Sequence, residues 1–427
     1  MRISSSLLFQ TGLNSINAQQ SDLMHLFQQI GSGQRMVTPA DDPLAAAQSI
    51  NIRQSQTMNV RYAENREVAK RDLGIEENTL SSVILQMSDI KTRLIEIGNG
   101  TMSDADRMTL SNVLQHARTS MLGLANATDG NGQYLFSGSL GDVMPFDNSG
   151  AYQGDTNQRN IQVDQTRRMA GSDVGSDVFA RATPGITSYV TAVGAGASFN
   201  PGAVNAGTGI ISTAAVYDAT QVVPDYRFEL EFIDADSYSV KVFDSAGEVN
   251  YDPAVHTGIP DWTSPQPFQA GAENQIQLPF GVQAKLSGHP VAGDTFSVSP
   301  AANQDMNVFH TLDAMIAVLG QPFEADPVAQ AHFQNVLASS IQRLDINYDN
   351  VLTVRSSVGA RFNELDALDA NGSLRNLGYR AQLTRLEDLD YYTASTQLDL
   401  RKSALEAAVL AFRKIQSTNL FSMGTSR

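Results

Sequence analysis

The side chains that most often perform catalysis or bind metals are few and scattered in this sequence. Histidine occurs at positions 25, 116, 256, 289, 310 and 332, and no two of these have the spacing of metal ligands on one helix. Cysteine is absent, which excludes thiol catalysis, disulfide bonds and thiolate-bound zinc. The sequence has neither a Gly-x-Ser-x-Gly motif nor a phosphate-binding loop. We therefore expect no catalytic residue, no metal site and no cofactor, and a protein that is not an enzyme.

Two short patterns could suggest a ligand, but each has a simpler explanation. The acidic segment Asp234-Ala235-Asp236 lacks the spaced ligands and the glycine of a calcium-binding loop, so we expect a solvated turn there. Gly194 and Gly196 lack the flanking strand and helix of a dinucleotide-binding loop and are typical of a flexible segment. The chain is therefore expected to act through its surfaces.

The charge and hydropathy of the chain exclude several classes of partner. The 427 residues carry a formal net charge of −16, with a pI near 4.7, which disfavours nucleic acids and acidic membranes as partners. There is no stretch of about 18 apolar residues to cross a bilayer. The start of the chain lacks the charged, apolar and small-residue regions of a secretory signal peptide. These rules predict a soluble, cytoplasmic protein unless a special route exports it.

The most regular pattern lies in the first thirty residues and is typical of a helix that pairs with another helix. Its positions follow each other at intervals of four and three residues: Phe9, Leu13, Ile16, Gln20, Leu23, Phe27 and Ile30. Between Ile3 and Gln34 the only Asp, Glu, Lys or Arg is Asp22, whereas solvated coiled coils carry charges at their flanks. We therefore expect this N-terminal arm, residues 1–40, to be surrounded by other protein.

The C-terminal arm, residues 386–427, has a matching apolar stripe. Its members are Leu398, Leu405, Val409, Phe412 and Ile415. The two arms can close on each other within one chain or pack between copies, and the uncharged flanks of the N-terminal arm favour packing between copies. One arm alone buries too little apolar surface to offset the entropy of ordering its backbone. We therefore expect the arms to be loose in a monomer and to fold on assembly.

Between the arms, the sequence predicts long helices contributed by both halves of the chain. Asp41 or Asp42 is a natural N-cap before Pro43, and a heptad then continues through Leu73, Leu80, Val83, Met87, Ile90, Leu94 and Ile97. A second long seam comprises Leu337, Ile341, Leu344, Tyr348, Val351, Arg355, Val358, Phe362 and Leu365. We assign residues 41–170 and 303–385 to a helical bundle, with short strands or small β hairpins at 134–138 and 160–163.

Residues 171–302 differ in composition from the rest. They hold 10 of the 15 prolines and 14 of the 32 glycines, and their 4 basic and 14 acidic residues give a net charge of −10. Phe228, Leu230 and Phe232 alternate with charged residues and are followed by Val240 and Val242, a pattern typical of a hairpin with one buried face. The fold class is therefore α+β: a long antiparallel helical bundle and coiled-coil arms built from both termini, with an inserted acidic β-rich domain.

Arg355 is the one charged residue inside the second seam. It can pair with an acid of its own chain while its stem packs on the seam, or it can form a salt bridge across a subunit interface. The sequence leaves both alternatives open.

Several segments together resemble the flagellin superfamily, and within it the hook-associated proteins. They are Gln29-Ile30-Gly31-Ser32-Gly33-Gln34-Arg35, Pro39-Ala40-Asp41-Asp42-Pro43, Gly132-Gln133-Tyr134-Leu135-Phe136-Ser137-Gly138, Arg355-Ser356-Ser357-Val358-Gly359-Ala360-Arg361, and the end from Ser395 through Phe412 to Phe421. They cover both arms and both halves of the helical region, and their combination is specific.

The resemblance implies a structural adaptor of the bacterial flagellum, located outside the cell at the junction of hook and filament. The implied partners are the first hook-associated protein, flagellin, and further copies of the chain in a ring or tube. The resemblance also implies export in an unfolded state by the flagellar export apparatus, without a cleaved signal peptide. A chaperone is implied at the C-terminal arm, carried mainly by Leu405, Val409, Phe412 and Ile415. A flagellin, the bulk subunit of the filament, is the alternative.

Overall fold

The computed structural model describes residues 2–98, 102–183, 188–196, 199–257, 259–322 and 326–424. The helices are α1 (Arg2–Ser32), α2 (Pro43–Ile97), α3 (Asp104–Ala125), α4 (Gly175–Phe179), α5 (Val308–Leu319), α6 (Pro327–Glu387) and α7 (Tyr391–Gly424). The strands are β1 (Asn160–Gln162), β2 (Arg168–Ala170), β3 (Tyr189–Val193), β4 (Ile210–Val216), β5 (Arg227–Asp234), β6 (Ser237–Phe243), β7 (Glu248–Val249), β8 (Gln266–Pro267), β9 (Asn274–Gln277), β10 (Val282–Ser287) and β11 (Thr295–Pro300). The predicted α+β fold, with helical ends and an inserted β region, is confirmed.

The chain forms two compact units, each built from separate stretches of sequence. One comprises Met1–Asn65, Asp164–Thr166 and Asp366–Arg427, and the other comprises Arg66–Val163 and Arg167–Leu365. We refer to them as the terminal unit and the central unit. The three-part domain division drawn from the sequence, with boundaries at 40, 170, 302 and 385, stays a prediction.

In the terminal unit, the start of α2 and the end of α6 lie side by side in opposite directions. Asp42 caps α2, because its carboxylate accepts a hydrogen bond from the Ala45 N–H at 3.0 Å. The Asn59 side chain donates to the Gly372 carbonyl at 2.8 Å, and the Gln56 amide donates to the Asn376 side chain at 3.0 Å. These polar contacts, of which the Asn59 contact is buried and the Gln56 contact is partly buried, fix the register of the two helices.

In the central unit, the predicted seam of α2 is buried, whereas the predicted seam of α6 is buried at alternate positions and partly exposed at the others. Every α2 seam residue from Leu73 to Ile97 is at most 2% exposed, and Leu344, Val351, Val358 and Leu365 of α6 are at most 1% exposed. The capping box predicted at the start of α3 is present, since Ser103 and Asp106 exchange side-chain to backbone hydrogen bonds. Helix α3 packs against α5. The hydrophobic period of the sequence therefore predicts the α2 part of this core in full and alternate positions of the α6 part.

The short strand or hairpin predicted at residues 134–138 in the central unit is wrong. Residues 134–138 form turns with a single isolated bridge between Thr128 and Tyr134. Phe136 is fully buried instead, with its ring 5.4 Å from that of Phe179. Alternation of apolar residues over so short a run does not distinguish a strand from a loop that buries aromatic side chains. The hairpin predicted near residues 160–163 is confirmed as β1 paired with β2.

Among its described residues, the β region has two antiparallel sheets in the orders β4-β10-β9 and β3-β11-β5-β6-β7, with β8 paired to β6. The predicted hairpin is β5–β6, and its inward residues Phe228, Leu230 and Phe232 are at most 1% exposed. The acidic segment forms the turn of this hairpin, where the Asp234 carboxylate accepts the Asp236 N–H at 2.9 Å. Trp262, the only tryptophan of the chain, is buried in the same core.

Candidate assembly interface

Helices α1 and α7 pack against each other within one chain, in opposite directions. The rings of Phe9 and Phe412 lie 5.1 Å apart, and an ion pair joins Asp22 to Arg401. At the far end the Leu389 N–H donates to the Gly33 carbonyl at 3.0 Å. The N-terminal and C-terminal arms thus close on each other, which is one of the two arrangements that the sequence allowed.

The predicted seam of the N-terminal arm is divided between two sides of α1. Ile16, Leu23 and Ile30 are half-buried, whereas Phe9, Leu13 and Phe27 are exposed. Sequence reasoning missed the buried Leu26 and also Gly12, on which the Phe412 ring packs. A heptad rotated by one position, which runs through Gly12, Ile16, Gln19, Leu23, Leu26 and Ile30, follows the half-buried side and could have revealed both.

The predicted residues of the C-terminal arm come together on one side of α7. Leu398, Leu405, Val409 and Phe412 are all half-buried. They recur at helical spacing and include the Phe412 ring that contacts α1. The side chain of Ile415 lies outside the described residues. The assembly and chaperone roles of these side chains stay predictions.

The two linkers beside the arms are held together by backbone hydrogen bonds. Gln34 and Asp388 form an antiparallel bridge, and the Arg35 N–H donates to the Glu387 carbonyl at 2.7 Å. The Arg35 guanidinium also donates to the Leu386 carbonyl at 3.0 Å. Because each linker is tied to the other, the ends of α1 and α7 are fixed together.

A second set of polar contacts anchors the linker between α1 and α2. The Asp41 carboxylate accepts the N–H groups of Val37 and Thr38 at 2.9 and 2.8 Å, and a His25 ring nitrogen lies 3.0 Å from it. The hydrogen bond from the Thr38 backbone, more than the other contacts, holds the pKa of Asp41 below its usual value. The linker therefore keeps a defined path along α1.

Arg355 forms an ion pair within its own chain. Its Nε lies 2.7 Å from Glu77 Oε1, and both side chains are partly exposed. This is the intramolecular alternative left open by the sequence. A contact between Arg355 and a neighbouring subunit stays a prediction.

Groupings of side chains suited to metal chemistry are missing from the described residues, where no three of His, Cys, Asp or Glu lie close enough to hold an ion. No helix in the described ranges combines the length and apolar character needed to cross a bilayer.

The functional feature that stands out is a set of exposed large apolar side chains on α1 and α7. They include Leu7, Phe9, Leu13, Met24, Phe27, Tyr391, Tyr392, Leu400 and Leu410. A surface of this kind gains free energy when another protein covers it.

Comparison with known proteins shows similarity to flagellar proteins. A family model described as the bacterial flagellin N-terminal helical region matches residues 3–140. Over 424 residues the chain is 26% identical to the flagellar hook-associated protein 3 of Salmonella typhimurium, and the match covers 99% of each chain.

Solved structures agree with this similarity. Hook-associated protein 3 of Legionella pneumophila matches with a TM-score of 0.63 and 29% identity, over 78% of this chain and 98% of that one. FlgL of Xanthomonas campestris matches with a TM-score of 0.62 and 26% identity, over 78% of this chain and 99% of that one. The N-terminal part of the chain therefore matches the flagellin family model, and the similarity to flagellar hook-associated protein 3 extends over nearly the whole length of the chain.

Proposed function

We propose that this protein is the structural adaptor between the flagellar hook and the flagellin filament, and that it works by burying interfaces without catalysing a reaction. The observation that carries this proposal is the similarity to hook-associated protein 3 over 99% of both chains. A match of this extent includes both arms, which carry exposed apolar side chains. The paired α1 and α7 support the proposal, because such surfaces need other protein to cover them.

The partners follow from the position of such an adaptor. The first hook-associated protein contacts it on the hook side, flagellin contacts it on the filament side, and further copies surround it in a ring or tube. The arms supply the assembly surfaces, through Phe9, Leu13, Ile16, Leu23, Phe27 and Ile30 on α1 and through Leu398, Leu405, Val409, Phe412 and Ile415 on α7.

The route to this position is export by the flagellar apparatus in an unfolded state, with the N-terminal arm as the signal and no cleaved signal peptide. Before export, a chaperone covers the C-terminal arm. Because Leu405 and Phe412 lie on the side of α7 that α1 occupies, the chaperone takes the place of α1 on this helix. The mature protein then lies outside the cell.

The proposal is tested in a strain that lacks the gene for this protein. The native chain should restore filaments and should be found by immunoblot in isolated flagella. Phe412→Asp should leave the helices of residues 41–385 folded by circular dichroism but abolish incorporation, because a charge replaces the ring packed on Phe9. Phe412→Leu is the matched control and should still be incorporated. Normal filaments with Phe412→Asp would contradict the proposal.

A bulk filament subunit is the weaker alternative, since the full-length relative is a hook-associated protein. Purified protein that grows long filaments without other components would favour it.

A further inference from the structure

Two edge strands of the β region have a composition that favours pairing with another chain. Among the described residues, β3 (five residues) ends the larger sheet and β4 (seven residues) ends the smaller one. Neither strand contains a charged residue or a proline, and both are rich in Val, Ile, Ala and Thr. Exposed edges of this kind are templates for strand addition and aggregation. What covers these two edges therefore matters for how the chain behaves in solution.

The edge of β4 is covered by the side-chain amide of Asn335 on α6. Its Nδ2 donates to the Gly209 carbonyl at 2.9 Å, and its Oδ1 accepts the Ile211 N–H at 2.8 Å. In a parallel pair of strands, one backbone residue bonds in the same way to the two residues that flank its partner. Asn335 is 4% exposed, so these bonds are shielded from water. The amide thus takes the place of a neighbouring strand.

The edge of β3 is covered in the same manner by Gln342, which lies seven residues further along α6. Its Nε2 donates to the Tyr189 carbonyl, and its Oε1 accepts the Thr191 N–H at 3.3 Å. The same Nε2 lies 3.3 Å from the Ala214 carbonyl of β4, so one side chain reaches both edges. Seven residues are two helical turns, about 10.5 Å along the axis. Helix α6 therefore presents the two amides on one side, toward the two edges.

The other edge of the smaller sheet, as far as the structure describes it, is open and has a different character. This is β9 (Asn274–Gln277), which has only four residues. Gln275 and Gln277 are exposed. A short polar edge discourages pairing by its own composition. The two longer apolar edges lack that protection, and they are the ones that α6 covers.

We propose that Asn335 and Gln342 block two sites for strand addition, and that an extended segment of a second copy of this chain pairs with β3 or β4 when these amides are removed. The occupant is a second copy, because β3 and β4 are themselves uncharged, β-prone segments and each offers a strand that the other can accept. The backbone groups that the amides satisfy would otherwise need new partners. This inference goes beyond the adaptor function and does not depend on it.

A double variant of the full chain tests the proposal. Asn335→Leu combined with Gln342→Met removes both amides and roughly keeps the side-chain volumes. Light scattering and thioflavin T fluorescence of the purified variant should exceed those of the native chain several-fold at equal concentration. Asn350→Leu is the matched control, since Asn350 is 2% exposed on α6 and its amide donates to the Asp177 and Val178 carbonyls at 2.7 and 3.1 Å. Those carbonyls belong to α4 and not to a strand edge, so this variant should lose stability without associating.

Deuterium exchange, read at single residues, shows whether the two edges take part. In the soluble double variant, the N–H groups of Thr191 and Ile211 should exchange roughly tenfold faster than in the native chain. In the associated material they should be protected again, because a strand of another copy accepts them. Association no greater than that of Asn350→Leu, or associated material in which both groups still exchange fast, would overturn the proposal.

The native chain supplies a measurement that does not depend on the folding of a variant. The N–H groups of Thr191 and Ile211 should exchange much more slowly than that of Gln275 in the open edge of β9. Equally fast exchange at these positions would show that α6 does not cover the edges, and would also overturn the proposal. Either result leaves the adaptor function standing, since that function is tested by incorporation of the native chain into flagella.

Discussion

The ring of Phe412 lies directly over Gly12, where a side chain of any size would meet it. A Cβ atom at Gly12 would lie 2.9 Å from Phe412 Cδ2 and 3.1 Å from Cε2, closer than two carbon atoms approach without repulsion. Glycine at position 12 therefore allows α7 to pack closely on α1.

Gly12→Val should loosen the pair of arms. The added side chain must displace the Phe412 ring, and overpacking of this kind typically costs about 1–3 kcal/mol. Amide exchange with deuterium in α7 around Phe412 should become roughly tenfold faster. Gly31→Val is the matched control, since nothing lies within 4 Å of a Cβ at Gly31. Equal exchange rates in the two variants would contradict the close packing at Gly12.

Arg53 and Glu387 join the start of α2 to the end of α6 by two hydrogen bonds, at 3.0 Å from Nε and 2.5 Å from Nη2. Arg53→Lys keeps the charge but loses the paired geometry. Because the Arg53 side chain is largely exposed, we expect a loss of about 1 kcal/mol or less in the free energy of local opening. Deuterium exchange at the end of α6 measures it.

The ion pair also predicts a response to acid. The hydrogen bond from Arg53 is the largest cause that lowers the pKa of Glu387 in the folded protein. The stabilisation by the Arg53–Glu387 pair is fully present above the ordinary pKa of glutamate. It is lost as the pH falls through the lowered pKa of Glu387 in the folded protein. Arg61→Lys, an exposed arginine of the same helix, is the control. If Arg53→Lys and Arg61→Lys show the same deuterium exchange at the end of α6 at neutral pH, the Arg53 pair does not stabilise this part of the chain.

The buried residues could be predicted from the sequence where one apolar heptad continues over many residues. They could not be predicted as well where two heptads, rotated by one position, fit the same helix. The α2 seam from Leu73 to Ile97 repeats over several heptads, so only one face can be buried. On α1, by contrast, two rotated heptads share Ile16, Leu23 and Ile30, and the sequence does not tell which flank its own chain covers. Glycine at position 12 has no apolar side chain that would mark the buried heptad. The choice depends on Phe412, which is far away in the sequence.

Buried polar contacts between distant residues were beyond sequence reasoning for a similar reason. Arg361 pairs with Asp173, which is 188 residues away, and the Asp173 N–H donates to Glu76, 97 residues away. No local spacing links three such positions. These residues do not belong to an apolar repeat, so one sequence alone does not indicate that they lie close together in the fold.

Asp294 should be essential for the stability of the β region. Its carboxylate is 1% exposed and accepts the N–H groups of Ala206, Gly207 and Val291, at 2.8 Å, 3.1 Å and 2.9 Å. Asp294→Asn replaces an accepting oxygen with a donor that faces backbone donors, and we expect a loss of about 2–3 kcal/mol in the free energy of unfolding. Denaturant titration followed by Trp262 fluorescence measures it.

The matched control for Asp294 is an aspartate of the same region whose carboxylate is not buried against backbone N–H groups. Asp236 is exposed in the β5–β6 turn, and Asp236→Asn should shift the unfolding midpoint little. An equally small shift for Asp294→Asn would contradict the role of its carboxylate in holding the three N–H groups.

Because of Glu76, the free energy of unfolding of the central unit should fall as the pH rises, which is the opposite of the usual effect of a carboxyl group. The side chain is fully buried, and Oε2 has no hydrogen-bond partner. Burial first, and then the neighbouring charge of Asp173, raises the pKa of Glu76 to about 8 from an ordinary value of 4.5. The folded protein therefore holds a proton on Glu76 at neutral pH, whereas the unfolded chain does not.

Between pH 4.5 and about 8 the folded state binds one proton more than the unfolded state at this site, so this contribution to stability falls as the pH rises. The loss across the window is on the order of 3–5 kcal/mol, at about 1.4 kcal/mol for each pH unit. Glu76→Gln keeps the carbonyl oxygen that accepts the Asp173 N–H but cannot ionise, so the unfolding free energy should lose this slope. Denaturant titrations from acid to alkaline pH, followed by Trp262 fluorescence, compare the two proteins. Glu77→Gln is the control, because Glu77 is partly exposed and paired with Arg355, and it should retain the slope. If Glu76→Gln and the native chain respond to pH alike, the carboxyl group of Glu76 is ionised in the folded protein.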